Sequence, residues 1–151
     1  MMATEQLFQV FRVPAAAPLA ERVTPRFGTS WQFDFETGEF VVDGGGHVVE
    51  ADGVTAWAQW CVKAMLCERF AYAIYGPNYG AEIERVHRSP NGEVARAEAE
   101  RAITEALLAD PDRRTLSVGA FVFEQGNDGL EVECEIVPAV GDARTVVAVL
   151  A

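Results

Sequence analysis

Positive charge is scarce in this 151-residue chain. Lys63 is the single lysine, and together with eleven arginines it stands against 23 acidic residues, so the formal net charge is −11. Nucleic acid phosphates and anionic lipids attract positive surfaces, and neither is therefore an expected partner. A neutral or basic protein partner is compatible with this charge.

Cysteine is also rare. Cys61, Cys67 and Cys134 are odd in number and have none of the spacings typical of zinc ligands. A disulfide framework is therefore not the basis of the fold, and we expect no metal and no cofactor. The three thiols are predicted to be small buried side chains.

Long apolar runs are missing. The longest, residues 146–151, is far shorter than the roughly 20 residues of a membrane-spanning helix. The first residues carry Glu5 where a signal peptide has a basic region, so none is expected. Half of the residues are apolar and 23% are charged, a balance typical of globular domains. We predict a soluble protein made in the cytoplasm.

What the sequence does contain divides into an arm and a domain. Pro14, Pro18 and Pro25 interrupt the first part, so residues 1–29 are predicted to form an N-terminal arm. Residues 30–151 have a length that suits a single domain with one core.

The domain begins with a predicted hairpin that has an aromatic face. Trp31, Phe33 and Phe35 alternate with polar residues, and a Thr-Gly turn precedes Phe40. A short strand is possible over residues 47–50, after three consecutive glycines.

Two amphipathic helices are predicted. Asp52 is the expected N-cap of the first, whose apolar positions follow a spacing of three and four residues. These positions are Val54, Trp57, Ala58, Cys61, Val62, Met65 and Leu66. The opposite side holds Trp60 and is less polar than a solvated face, so we expect a second contact there. The second helix begins at Ser89 or Asn91 and ends near Ala109.

The remainder of the chain is predicted to be strand. Alternating patterns cover residues 116–123 and 130–136, and residues 145–150 form an almost wholly apolar last strand. An open edge on that strand would invite pairing with another chain. The order of elements predicts an α+β fold with two main helices packed on an antiparallel sheet.

The stretch CERFAYAIYGPNYG, residues 67–80, holds every tyrosine of the chain. Its functional residue types are an acid and an arginine, Glu68 and Arg69, and the tyrosines Tyr72, Tyr75 and Tyr79. A muramidase-like hydrolase would use Glu68 as its acid, but glycoside hydrolysis needs a second carboxylate at a defined distance, and no spacing selects one. Glu68 would otherwise form an ion pair or hydrogen bond that fixes the loop, and clustered tyrosines suit either a core or a protein interface.

Two segments carry a family resemblance. FDFETGEF, residues 33–40, and CERFAYAIYGPNYGAEIE, residues 67–84, closely resemble the XkdS-like baseplate proteins of contractile phage tails and related tail-like particles. Those proteins belong to a baseplate wedge group called lysozyme-like, and the resemblance extends from Phe33 to the end of the chain. The residues that fall on the motif are Glu68, Arg69, Tyr72, Tyr75, Tyr79 and Gly80.

The resemblance implies a structural role and not an enzyme. Such proteins sit in the baseplate of a virion or tail-like particle in several copies, having assembled in the bacterial cytoplasm. They join wedge and hub or core proteins and initiate the sheath by pairing strands with sheath protein. The motif residues would then form an interface, and the arm and the last strand, through Val146, Val147 and Val149, would pair with the sheath. The alternatives are a hydrolase that uses Glu68 and a small regulatory binding protein that shares the fold.

Overall fold

The computed structural model describes residues 24–151, which form ten elements of secondary structure. In chain order these are β1 (Ser30–Trp31), β2 (Phe33–Asp34), β3 (Glu39–Phe40), β4 (Glu50–Ala51), α1 (Gly53–Leu66), α2 (Ile83–His87), α3 (Gly92–Leu108), β5 (Thr115–Gln125), β6 (Leu130–Pro138) and β7 (Arg144–Leu150). The predicted arm lies largely outside the described residues. Of its last part, Phe27 packs edge-on against Trp57 with ring centroids 6.3 Å apart.

The main sheet has three antiparallel strands in the order β5-β6-β7. Val132 lies opposite Ala148 and Cys134 lies opposite Val146, and these side chains face the core. Glu133 lies opposite Val147 on the outer face. The alternation of acidic and apolar residues along β6 therefore matches its two faces, as predicted.

The two long helices cover the inner face of the sheet. Helix α1 packs on β7, and α3 packs on β5 and on α2. The predicted α+β class is confirmed, including two main helices on an antiparallel sheet. The largest fully buried side chains are Trp57, Met65, Ile103, Leu107, Ile136, Leu150, Val132, Cys61 and Cys134.

The aromatic hairpin forms where it was predicted and packs on the outer side of α1. Phe33 lies opposite Phe40, and β1 pairs separately with β4. The Gln59 side chain joins the hairpin to the helix, because its Oε1 accepts from the Phe33 N–H at 2.6 Å and its Nε2 donates to the Trp31 carbonyl at 3.2 Å. The second contact expected on this helix is therefore within the chain itself.

Both predicted residues occupy the N-cap positions of the long helices, but only one of them caps through its side chain. The Asn91 side chain accepts from the Val94 N–H at 3.0 Å and caps α3. Asp52 occupies the N-cap position of α1, but its side chain accepts no capping hydrogen bond and only its carbonyl engages the first turn. The predicted N-cap residue of α1 is therefore confirmed, although its side chain makes no capping hydrogen bond.

One cysteine also departs from the prediction. Cys61 and Cys134 are buried, whereas Cys67 is partly exposed because it lies just beyond the end of α1. Burial raises the pKa of the Cys61 thiol to about 12, so this group stays protonated and behaves as a small apolar side chain.

Candidate functional site

The segment that carries the motif is a loop closed at its base. Helix α1 ends at Leu66, and the loop returns at Ala81, just before α2. The Ala81 N–H donates to the Cys67 carbonyl at 2.9 Å, and the Arg69 N–H donates to the Ala81 carbonyl at 3.0 Å. These bonds join the two ends of the loop, which we call the tyrosine loop (residues 67–81).

The acid and the arginine of the motif both hold this base. Glu68 accepts from the Glu84 N–H at 3.0 Å, in the first turn of α2. Arg69 donates through Nε to the Gly80 carbonyl at 3.0 Å and lies 3.9 Å from Glu105 of α3. Glu68 therefore binds α2, whereas Arg69 binds the end of the loop and lies near α3. This is the loop-fixing hydrogen bond that the sequence offered as the alternative to catalysis.

An ion network fastens the end of the loop to α3. Arg101 contacts Glu82 at 2.8 Å, Glu98 at 3.0 Å and Glu105 at 2.9 Å. The hydrogen bond from Arg101 is the main cause that lowers the pKa of Glu82 below its ordinary value. Arg101 and Glu105, four residues apart on α3, thus form an ion pair that is part of a larger cluster. Arg96 and Glu100, which have the same spacing, form no ion pair with each other.

Gly80 is required by the close approach of the backbone at the loop base. Its φ is +94°, and a Cβ there would lie 2.6 Å from the Cys67 carbonyl oxygen. A backbone carbonyl cannot move away as a flexible side chain can. The glycine of the motif therefore has a structural reason that does not depend on any partner.

Gly80→Ala is expected to lower the free energy of unfolding by about 3 kcal/mol, because the alanine combines an unfavourable φ with a backbone clash. Urea denaturation followed by circular dichroism measures this loss. Gly76→Ala is the matched control, since a Cβ at Gly76 meets nothing within 4 Å, and it should change stability by less than about 1 kcal/mol. Equal stability of the two variants would contradict the tight loop base.

The aromatic side chains form a ladder from the loop to the core. Tyr72 and Tyr75 have ring centroids 6.0 Å apart, Tyr75 and Tyr79 4.3 Å, and Tyr79 and Trp60 5.9 Å. The Arg114 guanidinium lies 5.0 Å from the Trp60 ring centre. Burial raises the pKa of Tyr79 to about 12.

The outer part of the loop exposes a continuous set of large side chains. Their exposed fractions are 73% for Phe70, 60% for Tyr72, 87% for Ile74 and 42% for Tyr75. Only Tyr79 packs against the core, so the sequence interpretation in which the tyrosines close the core applies to this one residue. The exposed members have the composition of a protein interface.

The last strand provides a second surface. Within residues 24–151, β7 pairs with β6 alone, and its other edge carries no described strand. Val147 and Val149 are exposed on the outer face, whereas the Val146 side chain is buried against the core. Val146 was predicted as an interface residue, and its side chain faces the core. Only its main chain lies at the edge.

Residues 24–151 contain no group of three or more His, Cys, Asp or Glu side chains placed to hold a metal ion. No helix in this range is long and apolar enough to cross a bilayer. One carboxylate oxygen of Glu68 accepts a hydrogen bond from the α2 backbone.

Sequence reasoning missed the buried pair beneath the aromatic ladder. Asp110 accepts from Arg114 Nε at 2.8 Å and from its second guanidinium nitrogen at 3.0 Å. Arg114 in turn contacts Trp60, on which Tyr79 packs. The spacing of four residues around Pro111 was a usable signal, because an acid and an arginine at that spacing can close a turn.

A chain of known structure resembles this one at low sequence identity. It belongs to the anti-feeding prophage (AFP) baseplate, solved by cryo-EM and 6-fold symmetrised. The TM-score is 0.48 and the identity 14%, over 83% of this chain and 87% of that one. No curated protein matches by sequence.

A family model gives the more informative match. The model of the contractile injection system sheath initiator family matches residues 29–140, which is well over half of the 151 residues. The match includes the hairpin, the tyrosine loop, both long helices and most of the sheet. It confirms the resemblance to sheath-initiating proteins that the two motifs indicated. The chain belongs to the contractile injection system sheath initiator family.

Proposed function

We propose that this protein is a structural component of the baseplate of a contractile tail or tail-like particle, where it starts the sheath by pairing its main chain with sheath protein. The observation that carries this proposal is the edge of β7. Strand β7 has seven residues, most of them apolar, and a described strand pairs with it on one side only. Addition of a strand at an open sheet edge is a common mode of protein recognition.

The tyrosine loop is the second proposed interface, toward a wedge or hub component. Phe70, Tyr72, Ile74 and Tyr75 present exposed apolar area on a loop that Glu68 and Arg69 fix from below. A preformed loop loses little conformational entropy on binding, which favours affinity. Glu68 and Arg69 would then act as positioning residues, and the exposed rings would make the contacts.

The hydrolase alternative is less favoured. Retaining and inverting glycosidases hold a free pair of carboxyl groups in a saccharide cleft. Here Glu68 caps a short helix, and the acids of the loop base, Glu82 and Glu105, are paired with Arg101. We expect no peptidoglycan hydrolysis by the purified protein. A regulatory binding protein with the same fold is also less favoured, because the family match concerns sheath initiation.

A proline in β7 tests the pairing. Backbone N–H groups along a strand point alternately to either side, so at Val147 and Ala148 one N–H faces β6 and the other faces the open edge. Of the variants Val147→Pro and Ala148→Pro, one therefore keeps every hydrogen bond to β6. Its thermal midpoint should be unchanged, and this identifies it. That variant is expected to reduce sheathed particles below detection in negative-stain micrographs, because it removes one donor from the edge and obstructs an incoming strand.

The matched control is Val147→Thr, which keeps the β-branched shape and the N–H. It should assemble sheath as the wild-type chain does. Normal sheath assembly by the folded proline variant would show that main-chain pairing at β7 does not start the sheath. The proposal would then fail.

A further inference from the structure

A groove lies between the last strand and the aromatic hairpin. It is lined both by α1, which covers the inner face of the sheet, and by Val147 and Val149 of the outer face, so we infer that it passes the open edge of β7. Its volume is about 980 Å³. We call it the β7 groove, and its lining residues come from the hairpin, α1, β6 and β7. The hairpin side includes Phe33, Asp34, Phe35 and Glu36, and the strand side includes Val147 and Val149.

The inner part of the groove is apolar. Val62 and Leu66 of α1 line it, and Leu66 is 41% exposed. The Phe33 and Phe35 rings, whose centroids are 5.0 Å apart, line the hairpin side. Apolar side chains that enter here would remove this surface from water, at about 25 cal/mol per Å² of apolar area buried.

The rim of the groove is acidic. Asp34 and Glu36 lie on the hairpin side, and Glu131 lies on β6 beside Val149. Within the described residues no Lys or Arg lies within 4 Å of any of these carboxylates. Hydrogen bonds from the backbone, chiefly the Glu36 N–H, lower the pKa of Asp34, so it is charged at neutral pH.

We propose that the β7 groove receives one extended segment of sheath protein in which apolar side chains alternate with lysine or arginine. Side chains of an added strand point alternately to its two faces. One row would meet Val62 and Leu66, and the other would meet the acidic rim. This inference rests on the proposed function and adds the hairpin as a second wall that selects the segment by charge.

Charge complementarity favours a basic partner over a second copy of this chain. A second copy would bring a formal net charge of −11 to an acidic rim, and like charges at close range oppose association. The proposed occupant is therefore a segment of another protein that is rich in positive charge.

Charge reversal at the rim tests the inference. The double variant Glu36→Lys with Glu131→Lys is compared with Glu50→Lys with Glu100→Lys, which makes the same change in net charge outside the groove. We expect the rim variant to bind purified sheath protein about tenfold more weakly than the control at low salt. At 1 M salt, where the Debye length is about 3 Å, the difference should largely disappear. Biolayer interferometry measures both affinities.

The outcome separates this inference from the proposed function. If the β7 proline abolishes sheath binding while the rim variant binds like its control, strand pairing stands and the charge-selecting groove is wrong. If the proline has no effect, the proposed function itself fails.

Photo-crosslinking identifies the occupant directly in assembled particles. The full chain with Phe35→p-benzoylphenylalanine is expected to crosslink to a basic segment of sheath protein, identified by mass spectrometry. A crosslink to the N-terminal arm (residues 1–29) of the same chain, or to a second copy, would overturn the inference.

Discussion

Trp57→Ala is expected to lower the free energy of unfolding by about 3–5 kcal/mol, the usual cost of removing a large buried aromatic side chain. Trp57 is fully buried in α1, and Phe27 packs on its ring. Its Nε1–H also donates to Thr115 Oγ1 at 3.0 Å, which ties the helix to the first residue of β5. A domain with a total stability of about 5–15 kcal/mol would lose much of it.

Urea denaturation followed by far-UV circular dichroism measures the loss. Thr115→Val is the companion variant, because it leaves the ring in place and removes only the acceptor, at an expected cost of about 1–3 kcal/mol. A loss below about 1 kcal/mol for Trp57→Ala would be inconsistent with a filled core at this position.

Asp110→Asn is also expected to lower the free energy of unfolding by about 3–5 kcal/mol, because it leaves the buried Arg114 guanidinium without its counter-charge. Asp110 is 4% exposed and Arg114 9%. The carboxylate accepts two bonds from the guanidinium and one from the Arg114 N–H at 3.0 Å. The asparagine amide keeps the shape of the aspartate side chain but carries no charge. Its NH2 group also faces the N–H groups of the guanidinium, so two donors meet.

The double variant Asp110→Asn with Arg114→Met separates the pair from its surroundings. Replacing both charges should recover much of the stability lost in Asp110→Asn, since the unpaired cation is then gone. Asp110→Asn as stable as the wild-type chain would show that the pair is not desolvated. The same denaturation measurement serves for both variants.

The local elements were predictable because their signals are local. The spacing of apolar residues identified α1, and the alternation of glutamate with apolar residues identified β6 and its two faces. Asn91 was one of two capping candidates, and its side chain makes the expected bond to Val94. Each signal depends on residues a few positions apart, which the backbone brings together without help from the rest of the fold.

The candidate site was predictable only in part. The sequence selected Glu68, Arg69 and Gly80 as a unit, and the structure brings them together at the loop base. It could not state their contacts, because the partners at Glu84 and Glu105 are 16 and 36 positions away from them. The face of each valine in β7 was also undetermined. When neighbouring residues are all apolar, the sequence does not show which of them face the core. Only the pairing with β6 places the Val146 side chain inside.

By itself the sequence determined the α+β class, the positions of the main elements, an acidic protein without a metal motif, and a family resemblance that the family match confirms. Only the tertiary structure decided that Glu68 caps α2, that Asp110 and Arg114 form a buried pair, and that the hairpin stands beside β7 with an acidic groove between them. The physical reason is the distance along the chain between the residues that interact. Periodicity and capping act within one helix or strand, whereas a groove or a buried pair exists only after distant segments have packed around a common core.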